Sequence, residues 1–438
     1  MSEPSKPGGA PRVVSPQREQ LEWRQFDLEG LIAEDHVARV LWKAVETLDL
    51  SEFYASIAAR ESMPGRPMLD PRLLLGLWLL ATRDGVGSAR RLAVLCTQHH
   101  AYIWMCGGVQ PNYHTLSDFR TAHGDKLERL MVQLLASLMK RGLVKLERVA
   151  QDGMRTRASA GAASFRSGAK LQRCVEEAKQ QIATLRAELE EDPSACSDRQ
   201  KRAQQRAAED RQRRLQQALA ELPRVAAVHA RNEHNRARRA EKAGRKLKAS
   251  EPRVSTTDPE ARVMKMPDGG YRPAYNVQLA TDVESRLIVG VNVTNEGADA
   301  AQLLPMLRQL ERDFGRLPND YLIDGGFGTL RSIDGAAKLG VTVYAPVPPS
   351  RRPGADRYAR KYADTERTFR WRRRMAGQRA KRVYRQRAAT AETVNADLRC
   401  RTMSHFKVRG RTKVRAAVLL AALTYNLLRA AQLAKPSC

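Results

Sequence analysis

Between about Phe26 and Lys145 apolar residues recur at intervals of three and four, in "HVARVLWKAVETLDL", "DPRLLLGLWLLATRDGV", "SARRLAVLCTQHHAYIWMC" and "TLSDFRTAHGDKLERLMVQLLASLMKRG". That is the period of amphipathic helices. Start signals agree with it: Asp70-Pro71 supplies a cap and a first-turn proline, Ser88 caps the next helix, and Thr115 or Ser117 the one after. The pattern predicts an all-α unit of four or five helices over residues 25–146, preceded by a polar, flexible tail over 1–24. From Ser164 to Lys248 the character changes. Leu171, Val175, Ala178, Ile182, Leu185 and Leu189 step by four and three among charged neighbours, as in a coiled-coil seam. Pro193 interrupts this run, and a second one, Arg199 to Leu222, carries Leu215, Leu219 and Leu222 on one stripe. Together, inserted as residues 164–250, they predict an antiparallel helical hairpin within one protomer, favoured by Pro193, or a coiled-coil seam between two protomers.

Strand signals dominate afterwards. Val149 to Arg157 precedes the hairpin; Tyr275 to Thr281 and Leu287 to Val293 follow it around a short polar turn. A helix from Asp299 to Phe314, the strand "DYLIDGG", a short helix from near Thr329 and the strand "VTVYAPV" come next. Long helices are expected from Glu366 to Arg401 and from Lys413 to Leu433. With the hairpin set aside, the order is three adjacent strands, then helix, strand, helix, strand, helix. That is the order of an RNase H-like α/β fold, here spanning 147–435 and interrupted where a connection runs over the surface.

Composition narrows the partners. Lys and Arg number 76 against 48 Asp and Glu, a formal net charge of +28, which suits a polyanion. The apolar run from Ala416 to Ala434 is broken by Asn426 and Arg429, so no membrane span is expected. The N-terminus lacks an apolar signal segment, and a cytoplasmic, nucleoid-associated location is the expectation. The six cysteines form no Cys-x-x-Cys pair, and Cys96, His99, His100 and Cys106 fit no common metal spacing.

Against this basic background three acids stand out. Asp152 lies on the first strand in "ERVAQDGMRTRAS", Asp324 closes the fourth in "YLIDGGFG", and Glu392 sits on the late helix in "YRQRAATAETVNADLR". Carboxylates from two neighbouring strands and a crossing helix can converge on the paired divalent ions of phosphoryl-transfer sites, which take hard oxygen ligands. Glycines flank both aspartates, Gly153 after the first and Gly325, Gly326 and Gly328 around the second.

At these residues the chain resembles the DDE transposases of bacterial insertion sequences. The similarity runs through "VAQDGMRTRASA", "YNVQLATDVESRLIVGVNVTNEGADAAQLLPML", "YLIDGGFGT" and "FKVRGRTKVRAAVLLAALTYNLLR", and "GRPMLDPRLLLGLWLLATRDGVGSARRLAVLC" resembles the helical N-terminal domain that accompanies them. The resemblance implies that Asp152, Asp324 and Glu392 are catalytic and hold two Mg²⁺ ions, with Mn²⁺ as a substitute. It implies strand cleavage at the element's ends and joining to target DNA. Tyr384, Arg387 and Arg399 match the family's aromatic and basic positions, with Arg399 where a lysine is more usual; Met154 and Asn395 depart from the pattern. Arg155, Arg157, Arg409 and Lys413 are further expected contacts to the phosphates of double-stranded DNA, at terminal inverted repeats or target. The helix opened by "QPNYHTLSDFR", near Arg90, Arg91 and Arg120, is the expected reader of the repeats. A reaction that joins two ends implies a homodimer. A structure-selective nuclease of this fold and a non-catalytic DNA-binding descendant are the alternatives.

Overall fold

The computed structural model describes residues 27–57, 67–191, 198–245, 250–350 and 353–434. The tail expected over 1–24 and the break expected at Pro193 lie outside them.

The N-terminal helices are, in order, α1 (Val37–Glu46), α2 (Ser51–Ala55), α3 (Pro71–Arg83), α4 (Ala89–Gln98), α5 (His100–Cys106), α6 (Tyr113–Ala122) and α7 (Gly124–Lys140). The periodicity underestimated the number because α2 and α5 are too short to show a period. Five of these helices, α1 and α3 to α6, start where a side chain takes up a free backbone N–H group. Asp70 accepts from the Arg72 N–H at 2.8 Å with Pro71 in the first turn, and Ser88 accepts from the Arg91 N–H at 3.4 Å. The start of α6 differs from the expected Thr115 or Ser117: Asn112 caps it, accepting from the Thr115 N–H at 2.9 Å. An Asn at that place reaches the third helical N–H, so the helix opens earlier.

The hairpin is an insertion in the sheet-bearing half of the chain. Its helices α8 (Gly168–Glu191) and α9 (Asp198–Lys242) run antiparallel, since Gly168 lies against Leu222 while Gln181 accepts a hydrogen bond from Arg211. Leu171, Val175 and Ala178 bury against Leu215 and Ala218. Helix α9 continues through Pro223, beyond the stop expected at Leu222. The paired two-residue strands β2 (Phe165–Arg166) and β3 (Val254–Ser255) close the base, and Val254 joins the hairpin's apolar seam.

The main sheet is built from β1 (Arg148–Arg157), β4 (Arg262–Lys265), β5 (Tyr271–Asp282), β6 (Ile288–Thr294), β7 (Asp320–Leu322) and β8 (Thr342–Tyr344). Its order is β6-β5-β1-β7-β8, with the short β4 beside the start of β5. The first three are antiparallel neighbours, and β7 and β8 run parallel to β1. This is the RNase H-like arrangement read from the element order. Helices α10 (Leu303–Phe314) and α11 (Leu330–Lys338) connect β6, β7 and β8. Helix α15 (Arg411–Leu433) has the length and apolar content of a membrane span, yet Val414, Val418, Leu419, Leu420 and Leu423 are buried. It packs on α3, α7 and β6, so the helical half and the sheet share one apolar core running from Ala38 to Leu427.

Candidate active site

Strand β1 pairs with β5 along its length but with β7 over only three residues, from Arg148–Asp320 to Ala150–Leu322. Two residues beyond the last pair stand Asp152 and Asp324. Two residues are one full pleat, so Asp152 points to the face of Ala150. The sheet opens between β1 and β7 at this point, and crevices beyond the carboxyl ends of such strands are where α/β sheets take ligands. Asp324 does not close the strand as expected. It sits in the turn after β7, where its carboxylate accepts from the N–H groups of Gly326 at 2.8 Å and Phe327 at 3.2 Å.

The third acid arrives from a helix laid over that face. The single helix expected from Glu366 to Arg401 is broken into α12 (Glu366–Ala376), α13 (Gln378–Arg387) and α14 (Thr393–Arg401). Gly377 is extended, at φ −76° and ψ 148°, and ends α12. Between α13 and α14 lies one π turn, Ala388–Glu392. Ala391 packs on Ala150 and Leu322, small side chains that let the turn approach the sheet. Arg387 and Glu392 are five residues apart, out of alignment on an α-helix, where residues three and four apart are neighbours. A turn that closes from i to i+5 brings them onto one face.

Arg387 uses that alignment to join two of the acids. Its Nη1 donates to Glu392 Oε1 at 2.9 Å and its Nη2 lies 2.9 Å from Asp152 Oδ1. Asn395, on the next turn, donates from Nδ2 to Asp152 Oδ2 at 3.0 Å. The Asp152 and Glu392 carboxylates are thus separated by no more than one guanidinium with a hydrogen bond on each side. Side-chain exposure is 9 % for Arg387, 18 % for Asp152 and 56 % for Glu392. Asp152 is therefore held at both oxygens, whereas Glu392 stays at the water boundary.

The electrostatics follow from this packing. Burial pushes the Asp152 carboxyl above the ordinary carboxylate range; Arg387 and the Gly153 N–H pull it down, and the nearby Asp324 charge adds to the rise. Burial opposes the charge on Arg387, but the surrounding carboxylates, Asp152 first, leave it raised. Burial also raises the phenol of Tyr384, which lies half-buried beside the same groups. Among the described residues no set of three His, Cys, Asp or Glu side chains is gathered tightly enough to hold an ion. The guanidinium fills the place between Asp152 and Glu392. The donors are hard carboxylate oxygens already arranged around one cation, which is the chemistry a divalent ion requires.

On the opposite face of β1 the residues serve the scaffold. Gln151 donates to Gln278 at 2.9 Å and accepts from the Tyr321 hydroxyl at 3.0 Å; Gln278 and Asn276 each donate to Asp299 at 2.7 Å. Gly153 leaves room for this network, since a Cβ there would meet Asp299 Oδ1 at 2.3 Å. Arg155 points the same way and donates to the Gly297 carbonyl at 2.9 Å. Arg157 is exposed at the strand's end, and its carbonyl accepts from the Phe406 N–H at 2.9 Å. Arg399 is exposed on α14, and Arg409 and Lys413 line a separate cleft against α9. In the expected reader helix, Arg120 is buried, with its guanidinium 4.2 Å from the centre of the Trp78 ring. Sequence reasoning marked Asn395 only as a departure; its spacing of three from Glu392 was the available sign that both share a helix face.

A family model described as the transposase DDE domain matches residues 240–427, and one described as a transposase domain (DUF772) matches residues 26–122. The chain belongs to the DDE transposases of insertion sequences. No curated protein and no solved structure matches it. The first match contains Asp324 and Glu392 but begins at the end of α9, so Asp152 lies outside it; the β1–β7 register and the contacts with Arg387 and Asn395 bring Asp152 beside the matched residues. The second covers α1 to α6. The transposase acts on DNA by strand cleavage and strand transfer, and its family uses divalent metal ions.

Proposed function

We propose that Asp152, Asp324 and Glu392 are the carboxylates on which this transposase cleaves element ends and joins them to target DNA. The observation that supports this most is the single guanidinium shared by Asp152 and Glu392, at 2.9 Å from each, with Asp324 in the turn after the neighbouring strand β7. The three side chains would hold two Mg²⁺ ions, or Mn²⁺ in their place. Such ions supply an activated water or DNA 3′-hydroxyl and stabilise the departing 3′ oxygen in an in-line displacement.

The chain's own residues have separable tasks. Asp152, clamped by Asn395 and the Gly153 N–H, is the fixed ligand. Glu392, at the exposed end of the π turn, is the adjustable one. Arg387 neutralises both until they are otherwise engaged, and then has a free guanidinium to offer a phosphate next to Tyr384. Arg399 would bind the DNA backbone beyond it, with Arg157 at the far end of β1. Arg155 is tied to the Gly297 carbonyl, which makes it a weaker candidate for that role. Terminal inverted repeats as the cognate DNA, and a homodimer holding two ends, complete the reading.

Electron paramagnetic resonance of Mn²⁺ titrated into the transposase tests the ligand set. Two bound ions in the wild type, and loss of binding in Asp152→Asn, Asp324→Asn and Glu392→Gln, is the expected result. Unchanged binding in any of the three removes that residue from the site.

A further inference from the structure

The cleft beside α9 is not part of the carboxylate site. It encloses about 770 Å³ where α6, α9 and the segment before α15 meet. Arg120, Arg214, Lys407, Arg409 and Lys413 line it, and among the described residues none of them has a carboxylate within ion-pair distance. The acids of the same walls have partners other than these five cations, one of them, Arg213, in the wall itself. Asp210 pairs with Arg213, Glu221 pairs with Arg262, and Glu260 accepts from the Arg411 N–H at 2.7 Å. The cleft therefore carries several uncompensated positive charges from three separate parts of the chain.

Two of those charges are held there against their own solvation. Arg120 is 6 % exposed; its Nη1 donates to the Gly87 carbonyl at 2.6 Å, and its Nε has no partner. Arg214 is partly buried, and both that burial and the neighbouring Arg409 charge weaken its hold on its proton. A desolvated cation without a counter-charge is unfavourable unless a ligand supplies one. A phosphodiester backbone supplies several at a regular spacing.

We propose that this cleft is a second DNA-backbone site, gripping a duplex by its phosphates and clamping the hairpin to the helical half. Ser159, in its wall, lies seven residues along the chain from Asp152. At the rise of a strand that is roughly 20 Å, a distance one duplex spans in well under a helical turn. The same DNA that meets the carboxylates can thus run into the cleft. The proposal rests on DNA being the substrate and is independent of which carboxylates hold metal.

The test is the salt dependence of binding to a labelled random-sequence duplex, followed by fluorescence anisotropy with EDTA present. Full-length wild type is compared with Arg409→Ala/Lys413→Ala and, as a charge-matched control away from the cleft, Arg308→Ala/Arg316→Ala; all four side chains are exposed. Each lost phosphate contact lowers the slope of log K against log salt by about 0.9, so the cleft variant should lose close to two while the control keeps the wild-type slope. A wild-type slope in the cleft variant, or an equal loss in the control, overturns the proposal. EDTA removes the metal-dependent reaction from the measurement, so a failure of the carboxylate assignment leaves this readout unchanged.

Discussion

Replacing Arg387 with methionine removes the one cation between Asp152 and Glu392 while keeping most of the side chain's volume. Asp152 is mostly buried and would be left charged without a counter-ion. Breaking a buried pair from one side costs about 3–5 kcal/mol. The low end applies here, because Asn395 and the Gly153 N–H still bond to Asp152 and Glu392 can turn to water. About 3 kcal/mol lowers the melting temperature of a single core of this size by roughly 3–4 °C, at an unfolding entropy of about 2.1 cal/mol/K per residue. Differential scanning calorimetry in EDTA measures it. Added Mg²⁺ should restore much of the loss, since an ion held by the same carboxylates replaces the missing charge. The Arg387→Met/Asp152→Asn double variant should melt higher than Arg387→Met alone. If Arg387→Met in EDTA melts with the wild type, or if the two substitutions add without coupling, the bridge does not hold the site together.

Gly153→Ala should destabilise the chain by about 1–3 kcal/mol, because the new Cβ overlaps Asp299 and Gln278 in a packed polar network; a wild-type urea midpoint would contradict this. Asn395→Leu deletes a hydrogen bond to a charged carboxylate, worth about 1.5–3 kcal/mol. It should slow single-turnover cleavage at least tenfold with DNA affinity unchanged, and wild-type cleavage would remove Asn395 from the site. Asp258 is fully buried, accepting from the Tyr275 hydroxyl at 2.7 Å, and burial raises its carboxyl above the ordinary 3.8. The folded state then keeps this proton longer than the unfolded state, so stability falls as pH rises from 3.8 through the raised value. Asp258→Asn should flatten that part of the stability profile, and an unaltered slope in pH-dependent urea unfolding would refute it.

The repeating features of the chain were legible in the sequence. Asp70-Pro71 and Ser88 start helices because capping chemistry is local. The hairpin follows from Leu171, Val175 and Leu215, and the strand order from alternating runs around Val149, Tyr275 and Ile288. Local widening of a helix leaves no such trace. The π turn at Ala388–Glu392 depends on Ala391 settling against Ala150 and Leu322, a contact between residues far apart in sequence. For the same reason the sequence marked Arg387 as a basic position expected to meet DNA, without its carboxylate partners. Its burial, and with it the bond to Asp152, exists only once α13 lies on the sheet. Arg120, near the helix expected to read the repeats, likewise takes its place only in the fold, over Trp78 at the edge of a basic cleft. The edge strand β4 was missed because "RVMK" is four residues long and pairs only with the start of β5.

The most direct test of the carboxylate assignment is a single-turnover assay with labelled element ends, target DNA and Mg²⁺, read together with DNA affinity in the same samples. The wild-type transposase should nick the ends and join them to target. Asp152→Asn, Asp324→Asn and Glu392→Gln should each bind DNA with wild-type affinity and do neither. Cleavage or joining at the wild-type rate by any one of the three would contradict the assignment.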